Sequence, residues 1–178
     1  MVERGHQPEG IFAINTRDGI KHLRVPLTAD ISVNMGQVTD EDEAITAATN
    51  GHIWNGYNIS IGNPHAVVFV DDINDVGLMD EPPVVRPRDS YPEGVNVEFA
   101  QITGDHELSM RVYERGSGET RSCGTGTCAV ALAAALHTKD SLPSTWIINP
   151  PGGRLEVAID GHSNATLIGP AVLVKDVD

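Results

Sequence analysis

Short runs in which apolar and polar residues alternate dominate the chain, and a period of two predicts half-buried strands. Ile11 to Asn15 and Ile20 to Val25 form one pair, with Asp18-Gly19 as the hairpin signal between them. Ile31, Val33 and Met35 alternate with polar residues. Thr39 to Asn50 is acidic and rich in Ala and Thr, and reads as a connector or short exposed helix at a lobe boundary. Ile59 and Ile61 alternate, Gly62-Asn63-Pro64-His65 interrupts, and Ala66 to Val70 reads as a buried strand. Asp71 to Tyr91 is acidic and Pro-rich, which predicts loop with room for one helical turn. Val95, Val97 and Phe99, the Gly104-Asp105 turn, and Leu108, Met110 and Val112 predict a hairpin.

After a polar, Gly-rich stretch from Gly116 to Gly126, the period changes. Thr127 to His137 reads as a helix with Cys128, Leu132, Ala135 and Leu136 on one face. Leu155, Val157 and Ile159 make another alternating strand, and Thr166 to Val174 the last. Met1 to Gly5 has the look of a helix end closed by Gly. The predicted class is α+β, mostly antiparallel strands around one buried helix.

Composition narrows the functions open to such a domain. Twelve Lys and Arg against 25 Asp and Glu leave a net charge of −13. With three lysines in all, the chain lacks the basic surface that a phosphate backbone requires, so nucleic acid is not an expected partner. Two cysteines cannot form a disulfide scaffold and point to a reducing compartment. The longest apolar run, Ala129 to Leu136, is too short to span a bilayer, and a cytoplasmic location is expected.

Candidate chemistry concentrates from Glu114 to Cys128, where a thiol precedes a Gly-rich turn that runs into the helix. The first helical N–H groups lack internal partners, and the helix dipole adds partial positive charge there. Both favour a carboxylate, and the same field is expected to stabilise the Cys123 thiolate and lower its pKa. Gly124 and Gly126 are expected to let the backbone approach a ligand closely. Cys128 lies on the apolar face and reads as structural. Gly124 to Ala129 fits a dinucleotide fingerprint, but no buried strand precedes it. Zinc lacks a second ligand pair, and Asp71, Asp72 and Asp75 are out of register for a calcium loop, so no metal is expected. Asn63, His65, Asn96, Glu114 and Arg115 add two amides, an imidazole, a carboxylate and a guanidinium, a set suited to a small zwitterion.

These motifs resemble, in content and order, those of the diaminopimelate epimerases. The likeness is carried by Gly62-Asn63-Pro64-His65 with Asp71-Asp72, by Gly94-Val95-Asn96, and by Glu114-Arg115-Gly116-Ser117-Gly118-Glu119-Thr120 leading to Cys123-Gly124-Thr125-Gly126. Pro151-Gly152-Gly153 and Gly169-Pro170 also fit. The resemblance implies interconversion of LL- and meso-diaminopimelate in lysine biosynthesis, without cofactor or metal, by two cysteines facing opposite sides of the α-carbon. It implies that Cys123 is one of the pair and that His65 and Glu114 tune the two thiols. Gly124 and Thr125 would hold the α-carboxylate, and Asn63, Asn96, Glu114 and Arg115 would bind the rest of the substrate. It also implies two similar lobes and a homodimer.

The loop that carries the family's other cysteine has no counterpart in this sequence. The expected organisation is therefore residues 1–50 as the tail of a truncated first lobe, 51–165 as a complete second lobe, and 166–178 as a strand returning to the first. Such a chain is expected to be inactive alone, with the strands over 11–25 and 31–35 and the last strand short of partners. Two other functions fit the residues: another cofactor-independent amino-acid racemase or isomerase of the same fold, or a non-catalytic lobe that binds a small acid or a partner subunit.

Overall fold

The computed structural model describes residues 9–16, 19–26 and 29–172. Among these described residues, thirteen strands form one mixed sheet that wraps around a single α-helix. The strands are β1 (Gly10–Thr16), β2 (Gly19–Val25), β3 (Ile31–Gln37), β4 (Thr39–Thr49), β5 (His52–Ser60), β6 (Pro64–Phe69), β7 (Val84–Arg86), β8 (Asn96–Gly104), β9 (Glu107–Glu114), β10 (Gly118–Thr120), β11 (Ser144–Asn149), β12 (Leu155–Ile159) and β13 (Asn164–Gly169). The helix, α1, spans Gly124–Thr138. Along the sheet the order is β1-β2-β3-β13-β12-β11-β9-β8-β6-β5-β4-β7, with β10 paired to β9. Only β6–β8 and β9–β11 are parallel. The architecture is the α+β class that the alternating pattern predicts.

Ten consecutive residues of α1, Gly126 to Ala135, are buried, so the helix has no wet face along that stretch. Ala is the best helix former, and a cylinder of small side chains lets strands close around it on all sides. The expectation of one apolar face is thus corrected: the helix is a central rod, and Leu136, assigned to that face, is 40% exposed. Around it pack Ile59, Val67, Leu108, Met110, Val112, Trp146, Ile148, Val157 and Ile159. Ile45, Ala66, Val68, Val76, Val85, Val97 and Phe99 form a second cluster on the opposite face of the sheet. Strands β6 and β8 therefore bury both faces, which hides their polar residues as completely as their apolar ones.

Other expectations are also corrected. Thr39 to Thr49 is a strand, because Ile45 and Ala47 pack into the second cluster while the backbone pairs with β5 and β7. The acidic residues that suggested an exposed helix lie at its solvent end. The loop over 71–91 contains β7 and two 3₁₀ turns, at Ile73–Val76 and Arg88–Ser90. Strand β11, with buried Trp146, falls in a segment that has no clean alternation. The last strand, β13, ends at Gly169, before Pro170, rather than running on from Thr166 through Val172; Leu173 and Val174 of the expected strand lie outside the described residues. The outlying strands have partners, since β1 pairs with β2, β2 with β3, and β3 with β13; among the described residues β1 remains an edge, paired on one side. Ile11 and Ile20 of the β1–β2 hairpin remain exposed. The suggested helix end at Met1 to Gly5, and Asp18 of the hairpin signal, lie outside the described residues. Among those described, no helix is long and apolar enough to cross a membrane.

Candidate active site

The N-terminus of α1 is where the predicted residues converge. Cys123 is the N-cap: its backbone is extended, its carbonyl accepts the first helical N–H from Thr127 at 2.8 Å, and its sulfur accepts from Gly126 N–H at 3.4 Å. Thr127 Oγ1 also donates to the Cys123 carbonyl, at 2.7 Å. Both cysteines are free thiols. Thr125, in the first turn, brings its hydroxyl to 3.4 Å from Cys123 Sγ.

Three other segments meet this turn. Asn63 Nδ2 donates to Thr125 Oγ1 at 3.4 Å from the bend before β6. His65, the second residue of β6, is fully buried, with Nε2 at 3.2 Å from Asn63 Oδ1 and Nδ1 at 2.7 Å from Glu98 Oε1. Asn96, at the start of β8, ties the bend to the end of β9: Nδ2 donates to the Pro64 carbonyl at 3.3 Å, and Oδ1 accepts from Arg115 N–H at 3.0 Å. Glu114 accepts a hydrogen bond from the Thr120 hydroxyl and lies close enough to act electrostatically on Cys123. The Arg115 guanidinium turns instead toward the Glu93 and Gly94 carbonyls, each 3.4 Å from Nη1. It also lines a groove of about 570 Å³ with Arg88, Tyr91 and Tyr113.

The sign of the Cys123 shift corrects the sequence-based expectation. Burial raises the thiol pKa; the hydrogen bonds from Thr125 and Gly126 lower it but do not win, and Glu98 and Glu114 add negative charge that raises it further. The helix terminus favours a thiolate, but Cys123 is only 9% exposed, and desolvation of the charged form outweighs that help. The role expected of Gly126 also changes. A β-carbon there would stand 2.5 Å from Glu98 Oε1, so the bare backbone accommodates a buried carboxylate. Gly124 has room limited by Leu167, 3.3 Å from where its β-carbon would be.

Glu98 is the site residue that sequence reasoning missed. Its neighbours Val97 and Phe99 point into the second cluster, which puts Glu98 on the helix side of β8 with Ala100. A strand read as half-buried assigns that side to water. The signal for the other reading was the pair itself, a His and a Glu at core-facing positions of apolar strands.

Cys128 is a different kind of thiol. It is wholly buried within α1, and burial pushes its pKa up to about 12, with Cys123 adding to the rise and Lys21 opposing it. A thiol whose folded pKa exceeds its unfolded value contributes stability below about pH 9, and that stability is lost as pH climbs toward 12. Stability to urea should therefore fall by about 1 kcal/mol between pH 8 and 10, and Cys128→Ala should flatten that slope. An unchanged slope in Cys128→Ala would show that other groups cause it.

Solved structures share this architecture. A phenazine biosynthesis protein of the PhzF family from Bacillus anthracis superposes with a TM-score of 0.69 at 17% identity, over 97% of this chain and 70% of its own. A hydroxyproline epimerase from Agrobacterium vitis superposes with a TM-score of 0.66, also at 17% identity, over 94% and 60%. At such identities the likeness defines the class of fold. Sequence defines the family within it. The profile described as diaminopimelate epimerase matches residues 57–174. The diaminopimelate epimerase of Streptomyces coelicolor is 40% identical over 181 residues, covering 99% of this chain and 63% of its own. That of Parabacteroides distasonis is 36% identical, covering 98% and 66%. The chain belongs to the diaminopimelate epimerase family, and it spans somewhat less than two thirds of the length of these relatives.

Proposed function

We propose that this chain supplies one half of a cofactor-independent epimerase acting on diaminopimelate, an isomerase of lysine biosynthesis, with Cys123 as the proton carrier for one face of the α-carbon. The observation that carries this is the thiol capping α1, reached by Thr125 at 3.4 Å and, through it, by Asn63 and His65, in a chain of this family. The substrate α-carboxylate would sit on the unpaired N–H groups of Gly124 and Thr125, where the helix terminus favours an anion. Thiolate Cys123 then takes the α-proton: the S–H bond forms as the C–H bond breaks, and the electron pair stays on carbon beside the bound carboxylate. A second acid on the opposite face returns a proton, completing the inversion. Asn63, Asn96, Glu114 and Arg115 would bind the remainder of the substrate, and Glu114 would adjust the thiol.

We assign residues 166–178 to one lobe with the strands of 1–50 up to β3, as the pairing of β13 with β3 supports, and 51–165 to the other; β4, expected in the first lobe, goes with the second, because it pairs with β5 and β7. Cys128 is enclosed in the helix, so Cys123 is the available sulfur. A polypeptide of these 178 residues should therefore fail to convert LL- to meso-diaminopimelate. Joined to the segment of the S. coelicolor relative that it does not cover, it should do so, with deuterium entering the α-position in heavy water. Inversion by the 178 residues alone, or none by the folded fusion, would refute the proposal.

A further inference from the structure

Behind the thiol lies a buried acid. Glu98 is 0% exposed, and its Oε2 has no hydrogen-bond partner. Oε1 takes up His65 Nδ1 at 2.7 Å and rests against the backbone of Gly126, whose N–H holds Cys123 Sγ. From His65 an unbroken series of contacts returns to the sulfur: Nε2 to Asn63 Oδ1 at 3.2 Å, Asn63 Nδ2 to Thr125 Oγ1 at 3.4 Å, and Thr125 Oγ1 to Cys123 Sγ at 3.4 Å.

Such a series has two self-consistent directions. In the arrangement with Asn63 Oδ1 toward the ring, both ring nitrogens face acceptors and both carry protons. Asn63 then donates to Thr125, and Thr125 donates its only hydrogen to Cys123, whose sulfur accepts it, an arrangement that favours the thiolate. With the Asn63 amide turned over, each link reverses: the thiol donates to Thr125, Thr125 to Asn63 Oδ1, and Asn63 Nδ2 to a singly protonated ring. The two states hold the same number of protons; the one that differs leaves one end and joins the other through water. A buried doubly protonated ring requires a buried anion beside it, and the Glu98 carboxyl, 2.7 Å from Nδ1, is placed to be that anion.

We propose that Glu98 is a positioning residue that, through His65, Asn63 and Thr125, sets the direction of the hydrogen bonds reaching Cys123 and holds its sulfur as the thiolate. This deepens the reading of Cys123 as a proton carrier and rests on it for its catalytic consequence. The effect opposes simple repulsion, because through space the Glu98 charge disfavours a thiolate. The groups that face Cys123 are Glu98 from β8, Glu114 from the end of β9, Cys128 on its own helix and His65 from β6 at the far end of the series; Lys21 of β2 acts on Cys128. Opposite signs make the route testable.

The test is titration of thiolate absorbance in the full chain, where Cys128, pushed up to about 12, is silent through the neutral range. Glu98→Gln keeps the shape and removes the charge. It should raise the Cys123 midpoint, leaving on the order of tenfold less thiolate at a fixed pH. In a Thr125→Val background, which cuts the series next to the sulfur, the same change should lower the midpoint or leave it unmoved. A lowered or unmoved midpoint with Thr125 intact, or an equal rise without it, would overturn the proposal. A second measurement needs no variant: nitrogen-15 NMR of His65 should show both ring nitrogens protonated where the thiolate is present, and a singly protonated ring there would overturn it. Neither measurement requires turnover, so an inactive fusion with the expected titration would sink the epimerase reading and leave this one standing.

Discussion

Cys123→Ala in the fusion should reduce inversion of diaminopimelate by about a thousandfold or more, the usual range for losing a positioned acid or base. Cys123→Ser should be nearly as damaging. An alcohol in place of the thiol keeps the geometry and the contact with Thr125, but its proton is held far too tightly for it to serve as a base near neutral pH. The thiol itself starts from an unfavourable position, because burial raises its pKa. The hydrogen bonds from Gly126 and Thr125 then matter for activity: they supply directed stabilisation of the thiolate where solvent cannot. Cys128→Ala is the matched control, because that sulfur is enclosed in the helix and faces no substrate. Progress curves for deuterium incorporation and for change of optical rotation check both effects. A Cys123→Ala fusion that inverts within tenfold of the unmodified rate would remove Cys123 from the mechanism.

Much of this was legible because strands with one dry face advertise themselves. The β8–β9 hairpin, β12 and the β1–β2 pair follow alternations visible in the sequence. The segments that misled did so for one physical reason, burial on both faces or none that pattern could register. Thr39 to Thr49 carries its acids at one end and its buried Ile45 and Ala47 at the other, so composition suggested a solvated connector. The helix is buried all round, so no single face could be read from it. In the site, the thiol, the Asn-Pro-His bend and the Glu-Arg turn stood out as chemistry-bearing residues in loops. Glu98 did not, since a Glu between Val97 and Phe99 looks like the wet side of an ordinary strand; only the cover on both faces of the sheet makes it a buried carboxyl. The direction of the Cys123 shift was hidden for the same reason, because the helix terminus is visible in sequence and the depth of burial is not.

That buried carboxyl, paired with His65, sets the largest expected effect on stability. His65→Leu should cost about 3–5 kcal/mol, the range for stranding one member of a buried pair. Both side chains are 0% exposed, and Glu98 Oε2 already lacks a partner, so removing the ring leaves a buried carboxyl without its hydrogen-bond partner and away from solvent. For a chain of this length the thermal midpoint should drop by roughly 10 °C. Urea titrations of the variant and the unmodified chain would show the loss. Glu98→Leu should cost less, because a neutral imidazole can stay buried with its bond to Asn63. The double replacement, His65→Leu with Glu98→Leu, should be more stable than His65→Leu alone, since two apolar side chains satisfy each other where one lone charge cannot. If the double variant were as unstable as the sum of the two singles, the pair would be two independent core residues, and the hydrogen-bond series from Glu98 to Cys123 would lose its anchor.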